Sequence, residues 1–142
     1  MDSENTIGEM QKMQKRKDAV AMDQLEIKQI LTDVGVDYNK GLERFVGNVA
    51  LYHKFLAKFL DDTSYGEFVQ ALAAGDLEKA GKSVHTLKGT AGNLSLMNLF
   101  KAADKTVQAI RAHKSQEEIE LLAQNVKQVY EENCQAIRQT VG

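Results

Sequence analysis

The chain reads as an all-α protein, an up-down-up-down antiparallel four-helix bundle with additional N-terminal helices. Three observations predict this. Its 142 residues include no proline, the residue that breaks helix interiors. Apolar side chains recur at spacings of three and four over most of the length, the period of a helix that buries one face. The periodic segments are separated by short stretches of Gly, Ser, Asp and Asn. Such residues suit helix caps, and short connections place neighbouring helices antiparallel.

Residues 1–22 stand apart as a polar arm or helix, with Lys12, Lys15, Arg16 and Lys17 beside Ile7, Met10 and Met13 at loose helical spacing. A charge run of this kind reads as a solvated arm. The bundle domain is assigned to 23–142. Its first helix starts near Asp23, carries Leu25, Ile27, Ile30, Leu31 and Val34, and stops at Gly35, which suits a position just past a helix end. A short helix from Asp37 to Phe45 ends at Gly47. Asn48 then caps a helix through Leu51, Tyr52, Phe55, Leu56, Phe59 and Leu60. Ser64 with Glu67 has capping-box spacing, so the chain restarts there and carries Phe68, Val69 and Leu72 to Ala74.

Gly75-Asp76 is a stop followed by a start, and the next helix runs to about Leu94. Ser95 is expected to cap the helix that carries Leu96, Leu99, Phe100, Ala103, Val107 and Ile110. Ser115 with Glu118 opens the last helix, with Ile119, Leu122, Val126, Val129 and Ile137 on its apolar face.

Composition narrows the function. Hydrophobic residues make up 43% and charged residues 27%, with a net charge of −2. That balance supplies one core and lacks the basic excess of a nucleic-acid binder. No apolar run is long enough to span a bilayer, and no apolar signal segment opens the chain. The expectation is a cytoplasmic monomer with no nucleic-acid or membrane partner. The single cysteine, Cys134, offers neither a disulfide framework nor a metal spacing, and it is expected to pack within the last helix. His53 and His113 are expected at the surface, and three scattered histidines do not make a zinc site.

The stretch His85-Thr86-Leu87-Lys88-Gly89 lies inside a helical pattern, where glycine costs about 1 kcal/mol relative to alanine. At roughly 100° per residue, Leu77, Ala80, Val84, Leu87, Ala91 and Leu94 form a core-facing stripe. His85, Lys88, Gly89 and Gly92 form a second stripe about 120° away, with Gly81 on it and Lys82 at its edge. Three lysines against two acids between Asp76 and Ser95 make the patch mildly basic. An imidazole beside small residues and lysines can be reached by another protein.

The run from His85 to Leu94, His-Thr-Leu-Lys-Gly-Thr-Ala-Gly-Asn-Leu, resembles the signature of histidine-containing phosphotransfer (HPt) domains, helical bundles that relay phosphoryl groups in two-component signalling. The segment Gly41 to Asn48 followed by Leu51-Tyr52 resembles the family's lead-in, and Ala71 to Leu77 resembles its turn into the histidine helix. The resemblance covers roughly residues 23–140. It departs at Ser95, where the family often has a second glycine.

The resemblance implies that His85 is the phosphoacceptor, that Lys88 offsets phosphoryl charge, and that Lys82, Gly89 and Gly92 belong to the docking surface. The residue types suit these roles. An ordinary imidazole, with a pKa of about 6.5, is mostly neutral and nucleophilic at cellular pH. Side chains three apart on a helix meet. The chain carries no Gly-rich nucleotide loop and no acidic cluster to hold Mg²⁺ in line with a phosphate. The resemblance therefore implies a stand-alone relay carrier without kinase activity and without a bound cofactor. Its partners are receiver domains of response regulators and hybrid histidine kinases, and the receiver holds the Mg²⁺. Competing functions are a receiver-binding or scaffolding module without phosphotransfer, a phosphoacceptor domain for a chemotaxis-type histidine kinase, and a structural helical protein dimerising through its N-terminal arm.

Overall fold

The computed structural model describes residues 24–142, so the readings of residues 1–22 as an arm and of a helix start near Asp23 lie outside the described residues. Within them the chain folds as helices α1 (24–33), α2 (Tyr38–Arg44), α3 (Val49–Phe59), α4 (Ser64–Ala73), α5 (Leu77–Asn93), α6 (Met97–Arg111) and α7 (Gln116–Thr140). There is no strand among the described residues, only one antiparallel bridge between Val36 and Leu96. Helix α5 packs between α4 and α6, α6 packs on α7, and α3 touches both α2 and α7. The product is an all-helical bundle. No described helix is long and apolar enough to cross a membrane.

The apolar periods direct the packing. Leu31, Tyr52, Leu56, Phe59, Phe68, Val84, Leu87, Leu99, Val126 and Ile137 form a continuous core from six helices. Burying a side chain of this size contributes about 1.5–3 kcal/mol. Leu77 departs from its stripe and remains 46% exposed. It opens the first turn of α5, beside a hollow that it lines with Leu72, Ile119 and Glu120. Leu25, Leu51, Phe55 and Val69 also belong to apolar patterns yet stay exposed.

Four caps act through side chains. The amides of Lys40, Leu51, Lys79 and Glu118 donate to the side-chain oxygens of Asp37, Asn48, Asp76 and Ser115. Two expected caps fall elsewhere. Ser64 is the first residue of α4 and is buried, with its amide and hydroxyl both donating to Asp62. The N-cap is Thr63, whose hydroxyl donates to Glu67. At the end of α2, the left-handed turn begins at Val46 (φ 55°), one residue before Gly47.

Ser95 does not cap α6; Leu96 holds that position without a side-chain bond. Ser95 instead follows the C-cap of α5 in the left-handed region, at φ 59°. Its amide donates to the Gly92 carbonyl and the Leu96 amide to that of Ala91, the paired bonds of a Schellman ending, where glycine is normally preferred. The Ser95 hydroxyl is buried without a hydrogen-bond partner. Two costs thus meet at one residue: a left-handed side chain, about 1–2 kcal/mol, and an unpaired buried hydroxyl. Ser95→Gly removes both and returns roughly 0.4–1 kcal/mol to the flexibility of the unfolded chain. It is expected to stabilise the protein by about 1 kcal/mol, read as a higher denaturant midpoint at unchanged slope.

This turn is clamped from two sides. The Tyr52 hydroxyl donates to the Leu94 carbonyl at 2.8 Å. The Asp37 amide donates to Ser95 and the Met97 amide to Gly35. Gly41 makes the first clamp possible, because a Cβ there would lie 2.2 Å from the Tyr52 ring and hydroxyl. The end of α5 that carries the histidine motif is therefore fixed by α1, α2 and α3.

His53 is not a free surface residue. It is half-buried, with Nε2 2.6 Å from the Tyr38 hydroxyl, and burial lowers its pKa. The unfolded chain then takes up a proton near pH 6.5 that the folded chain resists, so His53 contributes stability above that pH which is lost as pH falls through its depressed folded value. Melting temperature is expected to fall between pH 7 and pH 5, and His53→Gln to reduce that fall. His113 is exposed, as expected, and ends α6 in a left-handed conformation at φ 53°. Cys134 is buried, and burial raises its thiol pKa.

Candidate functional site

Helix α5 is positioned by its own apolar stripe. Ala80, Val84, Leu87 and Ala91 are wholly buried and Leu94 is 5% exposed. With that face locked inward, His85 is carried to the opposite shoulder and is exposed. Thr86 and Thr90 donate their hydroxyls to the Lys82 and Thr86 carbonyls one turn back, so the flank of the ring spends its polar groups on the helix itself. The His85 imidazole takes part in no hydrogen bond or ion pair to another described residue.

The glycines of the second stripe divide into two kinds. Gly89 is exposed, and a Cβ there would meet nothing within 4 Å. Gly92 was expected to leave room for a partner, but it leaves room for Phe100. A Cβ on Gly92 would sit 3.2 Å from that ring, and one on Gly81 would sit 3.3 Å from Ile110. Gly81 and Gly92 thus let α6 approach α5, while Gly89 alone leaves a bare patch of helix one turn beyond His85.

The lysines also differ. Lys82 is exposed and lies 3.5 Å from Glu78 in a pair whose side chains are 78% and 84% exposed, a contact worth little in water. Lys88 is half-buried and turned to α6: Nζ lies 2.8 Å from Asp104 Oδ1 and 5.6 Å from the centre of the Phe100 ring. The Lys88 hydrogen bond lowers the Asp104 pKa. A shallow hollow brings His85 and Lys82 together with Val107, Ile110 and Arg111 of α6. On the other flank, Phe45, Phe55 and Phe59 line a wider hollow with Thr90 and Asn93.

Asp104 and Arg111 were not singled out from the sequence, and Phe100 was read there only as part of an apolar face. A signal existed. Phe100, Asp104, Val107 and Arg111 are spaced four, three and four residues apart, within about 60° on a helix wheel. What a single sequence does not supply is which stripe of another helix this one faces.

An all-helical bundle with an open imidazole beside bare helix and cationic side chains belongs to the class of histidine-based phosphotransfer domains. The family comparison gives that class its name: the Hpt domain family model matches residues 54–140, more than half of the chain, and the chain belongs to the Hpt domain family. The match spans α4 to α7 and includes His85, Lys82, Lys88, Gly89 and Gly92. Comparison with curated proteins finds no match, and neither does comparison with solved structures. Membership places the chain among the phosphorelay histidine carriers of two-component signalling, which interact with receiver domains and are not kinases.

Proposed function

We propose that the protein is a stand-alone phosphorelay carrier in which His85 takes a phosphoryl group from a receiver-domain aspartate and gives it to a second receiver. The observation that carries this reading is the exposed imidazole beside Gly89, where a Cβ would meet nothing within 4 Å. An incoming loop can approach the ring over that patch without displacing any side chain of α5. The phenylalanine hollow at Thr90 and Asn93 offers apolar surface beside it. Short connections at 74–76, 94–96 and 112–115 support an alternating up-down course for α4 to α7.

In the forward step, the lone pair of a ring nitrogen attacks phosphorus. The N–P bond forms as the P–O bond to the aspartyl carboxylate breaks. The carboxylate leaves with the bonding pair, and the proton on the second ring nitrogen stays in place. The return step reverses this on another receiver. Such transfers depend on alignment and charge neutralisation. Lys88 supplies a cation one turn from His85, and Lys82 adds to the field. The receiver brings the carboxylate and Mg²⁺. On this reading the carrier acts as a cytoplasmic monomer and needs no cofactor of its own.

Incubating the chain with a phosphorylated receiver domain tests the reading. Transfer should produce a bond that is labile in acid and stable in alkali, as expected for phosphohistidine. Stoichiometric binding without labelling would favour a scaffolding module. Labelling by a kinase with ATP, with no receiver present, would favour a kinase-linked phosphoacceptor domain.

A further inference from the structure

Lys88 is committed to Asp104 before any phosphoryl group arrives. The pair is 2.8 Å long, with side chains only 23% and 37% exposed, and it joins α5 to α6. The Phe100 ring lies on the same ammonium, 5.6 Å away at its centre. Phe100 is in turn fixed against Gly92, so the place where Lys88 rests is built by packing.

His85 precedes Lys88 by three residues, on the same side of the helix. A phosphoryl group on His85 brings negative charge within reach of an ammonium that already has a carboxylate partner. One cation then serves two anions.

We infer that Asp104 is a positioning residue that holds Lys88 on α6 and thereby weakens its grip on the phosphorylated imidazole. The inference rests on the carrier reading of His85. A carrier has to release what it accepts. A free ammonium beside His85 would stabilise phosphohistidine and slow its onward transfer. Asp104 keeps part of that stabilisation in reserve, setting the balance between charged and discharged carrier.

The test compares wild type, Asp104→Asn, Lys88→Met and the double variant, all as the full chain. Each is equilibrated with one phosphorylated receiver domain, and the phosphorylated fraction is read. Asp104→Asn is expected to shift the equilibrium toward the phosphorylated carrier by about two- to fivefold, the scale of one partly exposed charge contact. It is also expected to slow onward transfer. In the Lys88→Met background the same change should have little effect, because the residue acts through Lys88. Asp104→Glu should behave like wild type.

An unchanged equilibrium in Asp104→Asn overturns the inference. So does an equal shift with and without Lys88, which would make the effect direct or structural. If the asparagine variant does not fold, Asp104→Ser takes its place in the same cycle. Phosphoramidate, a small donor that needs no partner protein, separates the two levels of failure. A wild-type chain that this donor does not label at His85 removes the carrier reading and this inference together. Labelling at His85 with no response to Asp104 removes this inference alone.

Discussion

His85→Gln is expected to abolish labelling by a phosphorylated receiver while leaving helicity and melting within error of wild type. The chemical half of this expectation is strict, because an amide has no nucleophilic ring nitrogen to form the N–P bond. The structural half follows from the surroundings of the ring. His85 is exposed, and its imidazole makes no hydrogen bond or ion pair to another described residue. Substitutions at such positions usually fall within about 0.5 kcal/mol of neutral. Circular dichroism and a denaturant titration check the fold, and phosphate-affinity electrophoresis checks the label. A variant that is labelled as well as wild type would remove His85 from the mechanism.

Gly89→Leu should separate folding from function in the opposite way. The position lies inside α5, where leucine is the better helix former by about 0.8 kcal/mol. A Cβ at Gly89 meets nothing within 4 Å, so the protein has no steric reason to resist the change. The variant should melt at or above the wild-type temperature. Transfer from a receiver should nevertheless fall at least about fivefold, the equivalent of a steric penalty of about 1–3 kcal/mol in a packed contact. The loss should appear in receiver affinity, and phosphoramidate, being small, should still label His85. Transfer at the wild-type rate would mean that partners do not approach over Gly89. Gly92→Leu should instead destabilise the fold, since its Cβ would press on Phe100 at 3.2 Å.

That contrast shows what the sequence could and could not reveal. Helix periods and caps were legible because they are local. Asn48, Ser115 and the stop at Gly35 behave as their residue types predict. His85 emerged because the buried stripe through Val84, Leu87 and Ala91 forces it outward. Gly89 and Gly92 share one stripe and look alike on a wheel, yet only the position of Phe100 on α6 tells which of them is bare. The same cross-helix geometry hid the Lys88–Asp104 pair, sixteen residues apart and joined across α5 and α6. Ser95 was misread because serine is a good N-cap, whereas closing the Schellman turn requires the chain there to turn left-handed. His53 was misread for a similar reason: its partner Tyr38 lies on another helix.

Site mapping of the phosphorylated chain tests the central claim most directly. The protein is charged by a phosphorylated receiver, kept at alkaline pH, digested, and its peptides are fragmented in a mass spectrometer. The account predicts one phosphoryl group per chain, carried by His85 and lost on brief acidification. A phosphoryl group on His53, on His113 or on a hydroxyl side chain, with His85 unmodified, would contradict it.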